Sequence, residues 1–163
     1  MMSNQREKNE IRVLLHNIRS AHNIGAMFRT AEAIGVTHIY LSGYSPTPID
    51  KWRRPVKEIA KTALGAENFI PWEYGISAEK FINKMKAEGF CVVGLEQDPR
   101  AVDYKSFAPN RPTLLLVGNE VDGIPEELRV ECDALIQISM RGQKESLNVS
   151  AAFAIALFGI FDK

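Results

Sequence analysis

Three separated stretches of this chain place polar groups where strand and helix signals meet. The first is Asn17-Ile18-Arg19-Ser20-Ala21-His22-Asn23-Ile24-Gly25-Ala26-Met27-Phe28-Arg29-Thr30-Ala31. Met27, Phe28 and Ala31 share one helical face, which turns Arg29 to the opposite side, where most arginines are simply solvated. A guanidinium stays protonated, so a positioned arginine there suits the stabilisation of a developing oxyanion. The second stretch, Leu116-Val117-Gly118-Asn119-Glu120-Val121-Asp122-Gly123-Ile124, ends an apolar run at Gly118. A side-chain-free residue at a strand exit admits a nucleotide-like ligand close to the backbone, although it is equally an ordinary strand end. Glu120 could anchor the Asn23–Arg29 segment, bind a ribose, or supply a favourable charge before a helix at Pro125. The third stretch runs from Ile138-Ser139-Met140 to Ser146-Leu147-Asn148-Val149-Ser150. Ile138 and Leu147 offer an adenine ring apolar walls and backbone amides. Ser146 reads as the N-cap of the last helix, and a helix N-terminus also suits an anionic group. Arg141 and Lys144, just before it, could meet a phosphate.

These groups need elements to hold them. Val13-Leu14-Leu15 is a short strand signal. Asn23 is a good N-cap, followed by Ile24, Met27, Phe28 and Ala31 at helical spacing, with Gly35 as the C′ residue. Residues 37–41 read as a strand, 43–48 as a loop, 58–64 as a helix closed by Gly65, and 77–86 as a helix opened by Ser77 and stopped by Gly89. Phe90 to Leu95 and Thr113 to Val117 are continuous apolar runs, as parallel strands covered on both faces require. Pro125 fits the N1 position of a short helix. Residues 134–138 form a last strand and 147–161 a last helix. Strands alternating with helices make an α/β fold, a mostly parallel sheet flanked by helices. The last helix has almost no polar stripe and must be buried on most sides, which predicts a dimer interface. An early Gly-rich dinucleotide loop with a ribose-binding acid further on is not visible.

The 163 residues suffice for about one domain with a real core. The first nine residues are polar, so no signal peptide is expected, and the apolar run 151–161 is too short to cross a membrane. Cys91 and Cys132 have no partner at metal-ligand spacing, so they read as packed thiols suited to a reducing cytoplasm, and no metal site is expected. Net charge is zero, but residues 1–61 hold ten Lys/Arg against five Asp/Glu, which leaves +5 there and −5 in the remainder. Such polarity allows a basic face toward phosphates. Its densest part is Lys51-Trp52-Arg53-Arg54-Pro55-Val56-Lys57, extended by Lys61. There Lys51, Arg53 and Arg54 could hold phosphates while Trp52 stacks on a base, or the segment could be a solvated basic loop.

The three stretches, in this order, resemble the ribose 2′-O-methyltransferases of the SpoU (TrmH-like) family, from about Ile11 to Phe161. The resemblance implies a single SPOUT-type catalytic domain over 11–163 after a short polar segment at 1–10, with a C-terminal trefoil knot and a homodimer whose sites lie near the subunit contact. It implies S-adenosylmethionine at Gly118, Ile138, Leu147 and Leu95, and a catalytic set of Arg29, Asn23, Glu120, Ser146 and Asn148. Arg29, helped by a substrate phosphate, would accept the 2′-OH proton or stabilise the alkoxide. The expected substrate is tRNA, with rRNA as the alternative, bound through Lys51, Arg53, Arg54, Arg141 and Lys144. The rivals are a base methyltransferase of the same superfamily and a non-catalytic RNA-binding dimer. The Ser146-Leu147-Asn148 run beside the Asn23–Arg29 pair favours ribose. Many relatives carry an added N-terminal RNA-recognition domain. The ten residues before the first strand are too few for one, so substrate choice is expected from the catalytic domain, its dimer groove, the 51–61 region or a partner protein.

Overall fold

The computed structural model describes residues 10–162. The polar segment expected at 1–10 lies outside the described residues apart from Glu10, as does Lys163. Seven strands form one parallel sheet: β1 (Ile11–His16), β2 (His38–Ser42), β3 (Trp72–Tyr74), β4 (Cys91–Leu95), β5 (Val102–Asp103), β6 (Thr113–Val117) and β7 (Ala134–Gln137). Their order across the sheet is β3-β2-β1-β6-β4-β7-β5. Five helices connect them: α1 (Ala21–Ile34), α2 (Lys57–Ala63), α3 (Ala78–Ala87), α4 (Glu126–Arg129) and α5 (Val149–Phe161).

Alternate side chains of the inner strands enter two separate cores. Val13, Leu15, Val93, Leu115 and Val117 pack with Phe28 of α1, Ile59 of α2 and Phe153 and Leu157 of α5. Leu14, Val92, Leu114 and Leu116 pack on the other face with Phe81, Ile82 and Met85 of α3 and Leu128 of α4. Strands buried on both faces explain why β6, entirely buried, reads as an unbroken apolar run. The α/β architecture is therefore the one that the alternation predicts.

Helix ends follow local chemistry with three corrections. Ser20, not Asn23, caps α1: its hydroxyl accepts the Asn23 N–H at 3.2 Å. Both residue types are good caps, and the choice leaves Asn23 inside the first turn with its side chain free to bond elsewhere. Likewise Asn148, not Ser146, caps α5, accepting the Ser150 N–H at 2.9 Å. Pro125 sits one place earlier than expected, at the N-cap of α4. At the far end of α1, Gly35 adopts a left-handed φ of 85°, and Val36 N–H reaches the Ala31 carbonyl at 2.9 Å, the Schellman closure expected of a glycine there.

The last helix starts at Val149, two residues later than expected. Phe153, Ala156, Leu157 and Ile160 are buried, but Leu147, Ala151, Ile155 and Phe158 face outward along one stripe. Within one chain the helix is therefore covered on one side only. No helix among the described residues is long and apolar enough to cross a membrane.

Candidate functional site

A cavity of about 280 Å³ opens at the carboxyl edge of the sheet, where β4, β6 and β7 end side by side. Leu95, Gly118, Ile138 and Leu147, the four residues expected to hold a cofactor, all line it. Leu95 is level with Val117 on β6 and with Ile136 on β7, so the residues that follow on all three strands meet at the cavity floor. Gly118 is required by the packing of the chain itself. A Cβ there would stand 2.5 Å from the Gly123 carbonyl group, because the loop 119–123 folds directly back over it. A larger residue at 118 would therefore disrupt this loop before it met any ligand.

That loop is held from several directions. Asn119 is buried, and its Oδ1 accepts the N–H groups of Val121 and Asp122, each at 2.8 Å. Its Nδ2 donates to the Asn17 carbonyl at 3.0 Å and to the Tyr44 hydroxyl at 2.9 Å. Glu96 accepts the Ile124 N–H at 2.7 Å, and Arg129 Nε donates to the Ile124 carbonyl at 2.6 Å. Behind the loop, Asp98 is 2% exposed and bonded by Arg100 and Arg129. The Arg100 guanidinium holds its carboxyl well below the usual range. Gln97 donates to the Ile138 carbonyl at 2.7 Å and so ties β4 to the other cavity loop.

Glu120 lines the cavity and faces the start of α1. It accepts N–H groups from Arg19 at 2.9 Å and Ser20 at 3.0 Å, and the Asn23 amide at 3.1 Å. Burial alone would push its carboxyl up, but these donors outweigh burial and hold it below the usual glutamate range. Of its three sequence readings, the anchor of the Asn23–Arg29 segment is the one that the geometry supports. The Asn23 Oδ1 in turn accepts from Asn148 Nδ2 at 3.4 Å. Glu120, Asn23 and Asn148 thus form one hydrogen-bonded line across three elements. Ser146 lines the cavity with its hydroxyl unbonded among the described residues.

Arg29 stands apart. It lies six residues beyond Asn23, about 9 Å along the helix axis. It is exposed, outside the cavity lining, and forms no ion pair among the described residues. Arg141 and Lys144 lie on the exposed loop that also brings Met140 and Glu145 to the cavity mouth. Lys51, Arg53 and Arg54 are exposed on a tight turn closed by a bridge between Ile49 and Pro55. Asp50 organises that turn by accepting the Trp52 and Arg54 N–H groups and the Arg54 side chain. Lys51 and Arg54 lie over the Trp52 ring, 4.3 Å and 4.9 Å from its centre.

Sequence reasoning missed Glu96, Gln97 and Asn119. Asp122-Gly123 is a turn dipeptide and could have shown that the chain reverses here, bringing Ile124 back toward the strand ends. Nothing local marks Glu96, whose bond to the loop reaches Ile124, 28 residues away. No group of His, Cys, Asp and Glu arranged to hold a metal occurs among the described residues.

The SpoU rRNA Methylase family model matches residues 10–158. A TrmH family tRNA/rRNA methyltransferase of Staphylococcus haemolyticus is 29% identical over 93% of this chain, and one of Bacillus subtilis is 30% identical over 96%. The AdoMet-bound rRNA methyltransferase of Sinorhizobium meliloti superposes with a TM-score of 0.83 and 33% identity, over 93% of this chain and 56% of that one. The TrmH/SpoU tRNA modifying enzyme of A. aeolicus gives 0.80 and 26%, over 97% of this chain and 79% of that one. The chain spans about three-fifths of the length of the two curated relatives, 58% and 61%.

Proposed function

This chain belongs to the SpoU methylase family, and we propose that it transfers the methyl group of S-adenosylmethionine to a ribose 2′-hydroxyl of RNA, with tRNA the expected substrate. The single observation that carries the reading is the line from Glu120 through Asn23 to Asn148 at the side of the cavity. It joins the three stretches that carry the family resemblance around one space.

The cavity fits the cofactor chemically. Leu95, Ile138 and Leu147 give apolar walls for a base, and no Lys or Arg is among its lining residues, as suits a cationic sulfonium. When bound, S-adenosylmethionine supplies an electrophilic methyl group. Glu120 fixes the start of α1, and Asn23 carries that placement to Asn148. Ser146 offers a hydroxyl to substrate or cofactor at the mouth. Arg29, which stays protonated, stabilises the alkoxide that develops on a substrate reaching it from outside the cavity, and the 2′-OH proton leaves to a substrate phosphate or to water.

The stripe of Leu147, Ala151, Ile155 and Phe158 is the face for a second copy of the chain. Because Leu147 also lines the cavity, the partner would come against its mouth. Arg141 and Lys144 flank that mouth, and the turn of Lys51, Arg53 and Arg54 adds phosphate contacts. Phe158→Asp should give a folded monomer by light scattering, whereas Phe153→Asp should not fold. A dimer that survives Phe158→Asp removes this interface.

The reading is tested by incubating the protein with radiolabelled S-adenosylmethionine and separate tRNA and rRNA pools, then digesting to nucleosides. Label in 2′-O-methylnucleosides of tRNA is expected. Label in methylated bases would replace it with the base-methylating reading, and label only in rRNA would change the substrate.

A further inference from the structure

The middle strand of the cavity carries a carboxylate without an assigned task. Glu96 follows Leu95 at the exit of β4, level with Gly118 and Gln137 on the flanking strands. It lines the cavity and is half-buried. Its Oε1 accepts the Gln97 N–H at 2.9 Å and its Oε2 the Ile124 N–H at 2.7 Å. Among the described residues it forms no ion pair. A carboxylate has about four acceptor positions, so each oxygen keeps one. Gly123 is packed against it closely enough that any Cβ there would collide with Oε2, at a φ of 69°. The carboxylate is thus fixed in place by two backbone donors and a bare glycine, yet each of its oxygens retains one unused acceptor position.

Two acceptors on one carboxylate suit two adjacent hydroxyl donors. In a nucleoside the ribose is bonded directly to the base, so a carboxylate next in sequence to the apolar wall at Leu95 stands where a ribose would begin. We propose that Glu96 accepts hydrogen bonds from the ribose diol of the cofactor and so selects an adenosine-type ligand over its deoxy counterparts. The proposal rests on the reading of the cavity as the cofactor site. It gives this fold a ribose-reading acid at a strand end other than the one where a Gly-rich dinucleotide loop would place it.

Calorimetry with S-adenosylhomocysteine and its 2′-deoxy and 3′-deoxy analogues, on the wild type and on Glu96→Gln, provides the test. Hydrogen bonds to a charged group predict that each deoxy analogue binds the wild type about tenfold more weakly or worse. In Glu96→Gln the ribose form should weaken to the same degree, and the gap between ribose and deoxy forms should close. Equal binding of ribose and deoxy forms by the wild type overturns the proposal. So does a gap that persists in Glu96→Gln, including the case in which all ligands weaken together because the 119–124 loop has loosened. Failure of the wild type to bind S-adenosylhomocysteine or S-adenosylmethionine at all would instead remove the cofactor reading on which the proposal stands.

Discussion

Around the cavity, several side chains are held by residues far away in sequence. Glu120 meets Arg19, Ser20 and Asn23, Asn148 meets Asn23, Asn119 meets Asn17, and Gln97 meets Ile138. The basic turn is built the other way: Asp50 alone organises Trp52 and Arg54, two and four residues on. A reaction centre has to hold groups from several elements in fixed relation, since misplacement by about 1 Å is costly in rate. A surface that meets a flexible polyanion needs only to present charge, because phosphate attraction is long-ranged and tolerant of geometry. On the proposed function, this contrast gives chemistry to one region and capture to the other.

The largest effect is expected from Arg29→Ala. Its exposure means that truncation removes little packing. Loss of the group proposed to face the developing charge should slow single-turnover methylation about 100-fold or more. Cofactor binding by calorimetry and the thermal midpoint should stay near wild type. Near-normal turnover would remove Arg29 from the reaction and place the chemistry on other residues.

Glu120→Gln comes next. Its three donors lose an ionised acceptor, and the start of α1 should weaken by about 1 kcal/mol, the scale of a lost helix cap. The pH dependence has a definite sign. The native carboxyl titrates below its ordinary value of about 4.3, so its stabilisation is complete above that value and is lost as pH falls through the lower native one. Urea midpoints measured across the acid range should show this loss in the wild type and its absence in Glu120→Gln.

Changing Lys51, Arg53 and Arg54 together to alanine should act on capture alone. Affinity for tRNA should fall, and the slope of log affinity against log salt should flatten by about two, as for three lost contacts to single-stranded phosphates. Turnover at saturating RNA should be retained. A fall in saturated turnover as large as that of Arg29→Ala would erase the contrast between the regions. Asp50→Ala should do least, about a twofold loss of RNA affinity, since it loosens a turn whose charges remain.

Much of the architecture was legible because its signals are local. Apolar runs marked β4 and β6, helical spacing marked α1, and Gly35 marked its end. β3 and β5 were not seen, because three and two residues are too few to carry a period. The cap of α1 was misplaced for a different reason. Ser20 and Asn23 are both cap-forming types, and Glu120, a hundred residues on, leaves Ser20 to cap while it engages the Asn23 side chain. The same ambiguity between Ser146 and Asn148 was settled by the bond to Ser150. Leu95, Gly118 and Ile138 line one cavity because they sit at ends of strands that the sequence showed plainly, and Leu147 joins them from the loop before α5. Glu96 was missed because its position has meaning only once β4 is seen to lie between β6 and β7.

Strand order has a consequence for how this molecule comes into being. β1 lies inside the sheet, yet its neighbour β6 begins about a hundred residues later, with Ile11 paired to Thr113. During synthesis β1 and β2 can pair early, but one edge of β1 stays open until most of the chain has been made. Contacts so distant in sequence close slowly, and an open apolar strand edge is prone to aggregate. Nascent chains should therefore depend on chaperones until β6 emerges, and refolding from denaturant should be slow and sensitive to protein concentration.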